Sequence, residues 1–257
     1  MANNQREVMM NCKHCGKEIS DEFWFCPWCG IAAKTETVEY YERESRHLRY
    51  LGKIRAAIDM CERASRICEP DAVLLRHQGD MHYLLGDMDK SIACYSRSIE
   101  LEPDSADSYY GKGIALFRTG SPQKAIDDFT KTIKLNPEYA MAYYWLGIAY
   151  FHTGKFDAAE GGFLCFLDKS PKSAITRYYL GQIYLIKGEN EKAIEQLQAL
   201  QKVNSENAYI YYLLGKTYFR ANKMFEAIDA LKQAIRLNPE DKQAMDLLDQ
   251  LLFVEEP

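Results

Sequence analysis

The stretch Tyr143-Tyr144-Trp145-Leu146-Gly147, with Gly154 seven residues after its glycine, is one copy of a pattern that recurs in strict register. Gly79, Gly113, Gly147, Gly181 and Gly215 stand 34 residues apart. Gly86, Gly120, Gly154 and Gly188 follow them at the same offset, with Asn222 in the fifth copy. Pro103, Pro137, Pro171 and Pro239 come 24 residues after the first glycine, and Ser205 holds that place in the remaining copy. Ala106, Ala140, Ala174 and Ala208 keep another fixed place. A period held over five copies marks a repeat array, in which each unit buries its apolar face against its neighbours.

Inside each copy the pattern reads as two helices. Apolar and aromatic residues lead up to the first glycine, as in Tyr211-Tyr212-Leu213-Leu214-Gly215. A residue without a side chain there lets the two helices approach closely. The second glycine ends the first helix at a left-handed position, where asparagine is the usual substitute. The second helix carries small and aromatic positions such as Ala125, Phe129 and Thr132, and the proline follows its end. Ser105, Ser173, Asn207 and Asp241 suit N-caps, with Tyr139 the exception.

This unit resembles the tetratricopeptide repeat, a helix–turn–helix of the same length. The resemblance implies an all-α solenoid, wound as a right-handed superhelix. Five repeats fill residues 71–239, and residues 240–254 form a lone capping helix. Residues 38–70 read as a degenerate starting pair broken near Gly52, with Ser45 in place of the first glycine. In such arrays the first helices line a concave groove. Carried onto this chain, the groove positions are Arg76, Tyr110, Tyr144, Tyr178 and Tyr212; Asp80, Ile114, Ile148, Gln182 and Lys216; and Leu84, Arg118, His152, Ile186 and Arg220. The tyrosines suit either peptide contact or packing of first helix on first helix. The lysine–asparagine set by which some relatives bind chaperone C-termini is missing. An extended apolar or aromatic-rich segment, or a partner helix, is the expected occupant.

Ahead of the array, residues 11–33 carry Cys12-Lys-His-Cys15-Gly16 and Cys26-Pro-Trp-Cys29-Gly30. Two Cys-x-x-Cys turns supply four soft ligands in a tetrahedron, which suits one structural Zn²⁺. The module resembles a zinc ribbon. A module this short usually needs a metal or disulfides to hold it. Closed coordination leaves no position for substrate. The ten residues between Cys15 and Cys26 leave room for a short hairpin using Phe23-Trp24-Phe25 as a strand, and His14 is a loop residue. Rubredoxin-like iron, serving electron transfer, is the chemical alternative. Residues 1–10 read as a flexible tail and 34–40 as a linker.

The rest of the chain narrows the function by elimination. A net charge of −5 gives no nucleic-acid footprint. Lys13, Lys17, Trp24 and Trp28 could give the ribbon a nucleic-acid contact, but Glu18, Asp21 and Glu22 neutralise it. There is no signal-peptide core and no apolar run of roughly 18 residues, so a soluble, cytoplasmic protein is expected. No phosphate loop, Gly-x-Ser-x-Gly or His-Glu-x-x-His is present, and no enzyme is expected. Cys61 and Cys68 have core spacing, His77 and His82 read as a surface or edge pair, and Arg43, Arg46, His47 and Arg49 as a solvated face. The expected function is a non-enzymatic adaptor that holds a protein segment in the groove.

Overall fold

The computed structural model describes residues 9–12, 15–20, 26–29, 38–67 and 69–253. Lys13, His14, Phe23, Trp24, Phe25, Cys68, most of the tail and linker, and residues 254–257 lie outside them. The described residues form two strands and thirteen helices, and divide into two units, Met1–Pro103 and Asp104–Pro257.

The first unit begins with strands β1 (Met9–Asn11) and β2 (Glu18–Ser20), paired antiparallel with Met10 opposite Ile19. The hairpin therefore brackets the first Cys-x-x-Cys, and β1 reaches back into residues read as tail. The reason is local: Met10 packs on Ile19, Cys12 and Cys26, the module's apolar centre. Two helix pairs follow, α1 (Val38–Tyr50) with α2 (Ile54–Ile67) and α3 (Ala72–Leu85) with α4 (Met88–Leu101). Gly52 and Gly86 both take left-handed φ angles, 73° and 81°.

The second unit continues with α5 (Ala106–Arg118), α6 (Pro122–Leu135), α7 (Ala140–His152), α8 (Phe156–Lys169), α9 (Ala174–Lys187), α10 (Asn190–Val203), α11 (Ala208–Arg220) and α12 (Met224–Leu237). Each helix packs chiefly on its sequence neighbours, so the unit is a stack of hairpins. The last helix, α13 (Lys242–Phe253), covers α12 with Ala244 and Leu251.

One packing rule runs through the hairpins. The first glycine faces the residue sixteen positions later: Gly79 faces Tyr95, Gly113 Phe129, Gly147 Phe163, Gly181 Leu197 and Gly215 Leu231. A Cβ at Gly113 would lie 2.7 Å from the Phe129 ring, so the bare backbone is what admits the ring. The starting pair inverts the sizes. Ser45 has a side chain, so its partner shrinks to Cys61, and hydroxyl and thiol meet at 3.0 Å. The second glycines are left-handed throughout, and Asn222 adopts the same conformation at φ 58°. Among the caps, Ser173, Asn207 and Asp241 accept backbone N–H groups as expected. Ser105 does not: its hydroxyl meets that of Ser108 instead, at 2.9 Å.

Candidate functional site: a groove with two cations and a four-cysteine cluster

The first helices of the second unit carry the residues expected in the groove. The Tyr110 ring lies 4.7 Å from Tyr139, at the start of the next hairpin, and 6.2 Å from Phe129 of its own, while Tyr144 lies 5.3 Å from Phe166 of its own hairpin. They are half-buried, and part of each ring belongs to the core. Ile114 also packs into that core. Ile148 is 4% exposed, wedged in a cluster with Phe163 and Leu180, so it is a packing residue and not a groove surface. The register alone could not tell a buried isoleucine from a lining one. Arg118 and His152 are exposed at helix ends, and His152 rests 5.5 Å from the Phe117 ring.

The remaining expected residues converge on α9 and α11. Gln182 Nε2 donates to Tyr178 Oη at 2.6 Å. Burial, reinforced by a hydrogen bond with Tyr209, pushes the Tyr178 hydroxyl up to about 12, so it keeps its proton at physiological pH. Arg220 Nη1 donates to the Leu185 carbonyl at 3.1 Å, which ties α11 to α9 and fixes the guanidinium. Lys216 Nζ lies 6.0 Å from the Tyr212 ring centroid, within cation–π range. Gln182, Lys216 and Arg220 line one cleft of about 420 Å³ between α9 and α11, together with Ile186, Tyr209 and Leu213. Tyr212, Lys216 and Arg220 line a second cleft of about 420 Å³ between α11 and α13, with Phe219 and Leu247.

Tyr209 and Phe219 are lining residues that register reasoning missed. Tyr209 stands six positions before its glycine, where Met141 and Ile175 stand in the two preceding copies, and all three are exposed. A repeated large apolar side chain at the solvated start of a helix was the available signal.

Helix α3 lies in the first unit and carries the histidine pair expected at a surface or edge. His77 and His82 are part-buried, and burial lowers both imidazoles below their ordinary value. Arg49 is also not simply solvated, since its guanidinium reaches Asp80 on α3 at 3.4 Å.

In the cysteine module the two strands aim the first pair of sulfurs. Cys12 N–H donates to the Lys17 carbonyl and Gly16 N–H to the Cys12 carbonyl, each at 2.9 Å, and Gly16 takes φ 72°. The turn places Cys12 Sγ 3.7 Å from Cys29 Sγ, and Cys15 Sγ 3.5 Å from Cys26 Sγ. All four sulfurs lie within 4.8 Å of one another. A tetrahedron of sulfurs about 2.3 Å from a zinc ion has edges of about 3.8 Å. The set therefore fits a single four-coordinate metal ion. Among the described residues it is the only cluster of three or more such ligands. Trp28, between the second pair, is exposed, with Lys17 Nζ 4.4 Å from its ring centroid. The cation thus already covers one face of the ring that a stacked base would need.

No helix among the described residues is long and apolar enough to cross a membrane. No curated protein sequence matches the chain. Solved structures do. YrrB, described as a TPR protein with an unusual peptide-binding site, is 20% identical, with a TM-score of 0.67 over 72% of this chain and 96% of that one. MamA is 25% identical, with a TM-score of 0.62 over 66% and 92%. PilW, a type IV pilus biogenesis factor, is 18% identical, with a TM-score of 0.62 over 84% and 100%. Family models described as "TPR repeat" match residues 79–120 and 181–222, and models described as "Tetratricopeptide repeat" match 110–174 and 208–241. Together these matches span more than half of the chain, which belongs to the tetratricopeptide repeat family.

Proposed function

We propose that the protein is an adaptor that holds a segment of a partner protein across α9, α11 and α13. The observation that carries this reading is the convergence of Gln182, Lys216 and Arg220 on one open cleft beside exposed Ile186 and Tyr209. Such a surface offers apolar contact area together with a few fixed polar groups, the usual composition of a specific binding site. Peptide binding in YrrB, a structure of the same fold, is consistent with it. Tagged protein should capture a partner from cells, and Gln182→Ala with Tyr209→Ala should release it. Equal capture by wild type and variant would place the interaction elsewhere.

The cysteine module serves this adaptor as a second contact surface, held together by one structural zinc ion. Cys12, Cys15, Cys26 and Cys29 are the ligands, and a module this small draws its folding free energy from the metal. Protein purified without added metal should be colourless, with one zinc per chain by elemental analysis. Iron and a visible absorption band would replace this reading with an electron carrier.

A further inference from the structure

The α11 ridge presents Lys216 and Arg220 one helical turn apart, and they line both flanking clefts. No carboxylate is among the residues lining the α9/α11 cleft, and neither cation has an acidic partner there. The α11/α13 cleft has one, Asp246, on its far wall. A chain with a net charge of −5 thus keeps two cations on this ridge with a single carboxylate, Asp246, lining the clefts around them. Each cleft also has an apolar wall: Ile186, 54% exposed, on one side, and Phe219, 40% exposed, on the other. Adjacent first helices are about 10 Å apart, so the clefts repeat at about that distance. A peptide in the polyproline II conformation rises about 3.1 Å per residue with three residues per turn, so side chains three apart face the same way and reach from one cleft to the next.

We infer that the occupant is an extended acidic segment of the pattern apolar–acidic–acidic–apolar. One apolar side chain lies against Ile186 and the other against Phe219. The two carboxylates between them point to either side of that line, toward Lys216 and Arg220. This inference rests on the adaptor reading and gives the chemistry of its partner. Charge decides the segment's identity and direction of selectivity, while the apolar anchors supply contact area.

Fluorescence anisotropy with the full chain tests it. The probes are labelled octapeptides containing Leu-Glu-Glu-Leu, Leu-Gln-Gln-Leu or Leu-Lys-Lys-Leu between Gly-Ser flanks. The acidic peptide should bind at least tenfold more tightly than the neutral one, and should weaken as salt rises. Lys216→Glu, which leaves the Arg220–Leu185 hydrogen bond in place and brings the ridge to zero net charge, should abolish the preference for the acidic peptide. Ile186→Ala should weaken binding several-fold without changing its salt dependence. Equal binding of the acidic and neutral peptides would overturn the inference, as would an unchanged preference in Lys216→Glu. So would concentration-dependent dimerisation abolished by Lys216→Glu, which would make a second copy the occupant. Capture of a cellular partner that depends on Tyr209 but ignores Lys216→Glu would keep the adaptor reading and remove this one.

Discussion

Two adjacent glycines in α8 show how differently the same residue can be used. Gly161 is exposed, and a Cβ added there meets nothing within 4 Å. A Cβ on Gly162 would lie 3.1 Å from the Cα and N of Gly147, backbone atoms that cannot rotate aside. Gly161→Ala should therefore stabilise the protein by about 0.5–1 kcal/mol, because alanine loses less backbone freedom on entering a helix. Gly162→Ala gains the same propensity but overpacks the α7/α8 contact, at a cost of about 1–3 kcal/mol. Urea denaturation of the two variants should shift in opposite directions. A shift of both to higher midpoint would mean that α7 and α8 do not approach this closely. Gly154, left-handed at φ 72°, is a third case. There the constraint is conformation, and Asn222 at the same register shows which side chain it admits.

At the scale of the element, α3 carries a pH dependence that its sequence did not announce. His77 is held below its ordinary value first by burial, then by Arg76, with Arg49 and Arg46 from α1 acting the same way and Asp80 opposing. His82 is lowered by burial, with Asp87 opposing. Both imidazoles therefore favour the neutral form in the folded chain, while the unfolded chain takes up protons near pH 6.5. A depressed histidine pKa means that the unfolded state binds more protons. Stability should be full above about pH 6.5 and fall as the pH drops below it. His77→Gln should flatten the melting temperature between pH 7 and 5.5, and an unchanged slope would assign the effect to other groups. Helix identities and the close approach at the first glycines were legible in the sequence because a 34-residue period repeats the same steric problem five times. The burial of His77, His82 and Ile148 was not, because it depends on which neighbouring helix leans over each side chain. The strand ahead of Cys12 was not legible for a related reason: a three-residue strand such as Met9–Asn11 has too few residues for any period to register.

In the second unit as a whole, stability should be shared between neighbours only, since each hairpin touches the next and little beyond it. Polar ties recur at the junctions: Lys155 to Gln123, and Lys223 to Glu191 at the same offset. Between the hairpins of α8 and α9, Lys187 joins Asp157, Glu160 and Glu189. The outer partners Asp157 and Glu191 are largely solvated, and ties of this kind contribute on the order of 0.2–1 kcal/mol each. Apolar contact between hairpins must therefore hold the stack, and at the last one that contact comes from α13. Leu251 and Ala244 are buried against Ala227, Leu231 and Ala234. Covering a leucine is worth about 1.5–3 kcal/mol, and 1.4 kcal/mol is a factor of ten in an opening equilibrium. A chain ending before Lys242 should lose at least tenfold in amide exchange protection over α11 and α12. Helices α5 and α6, with two hairpins in between, should exchange as in the full chain. The gradient is the discriminating result: loss of protection spread evenly from α5 to α12 would mean that the hairpins unfold as one cooperative block, and that nearest-neighbour contact does not set the stability of this unit.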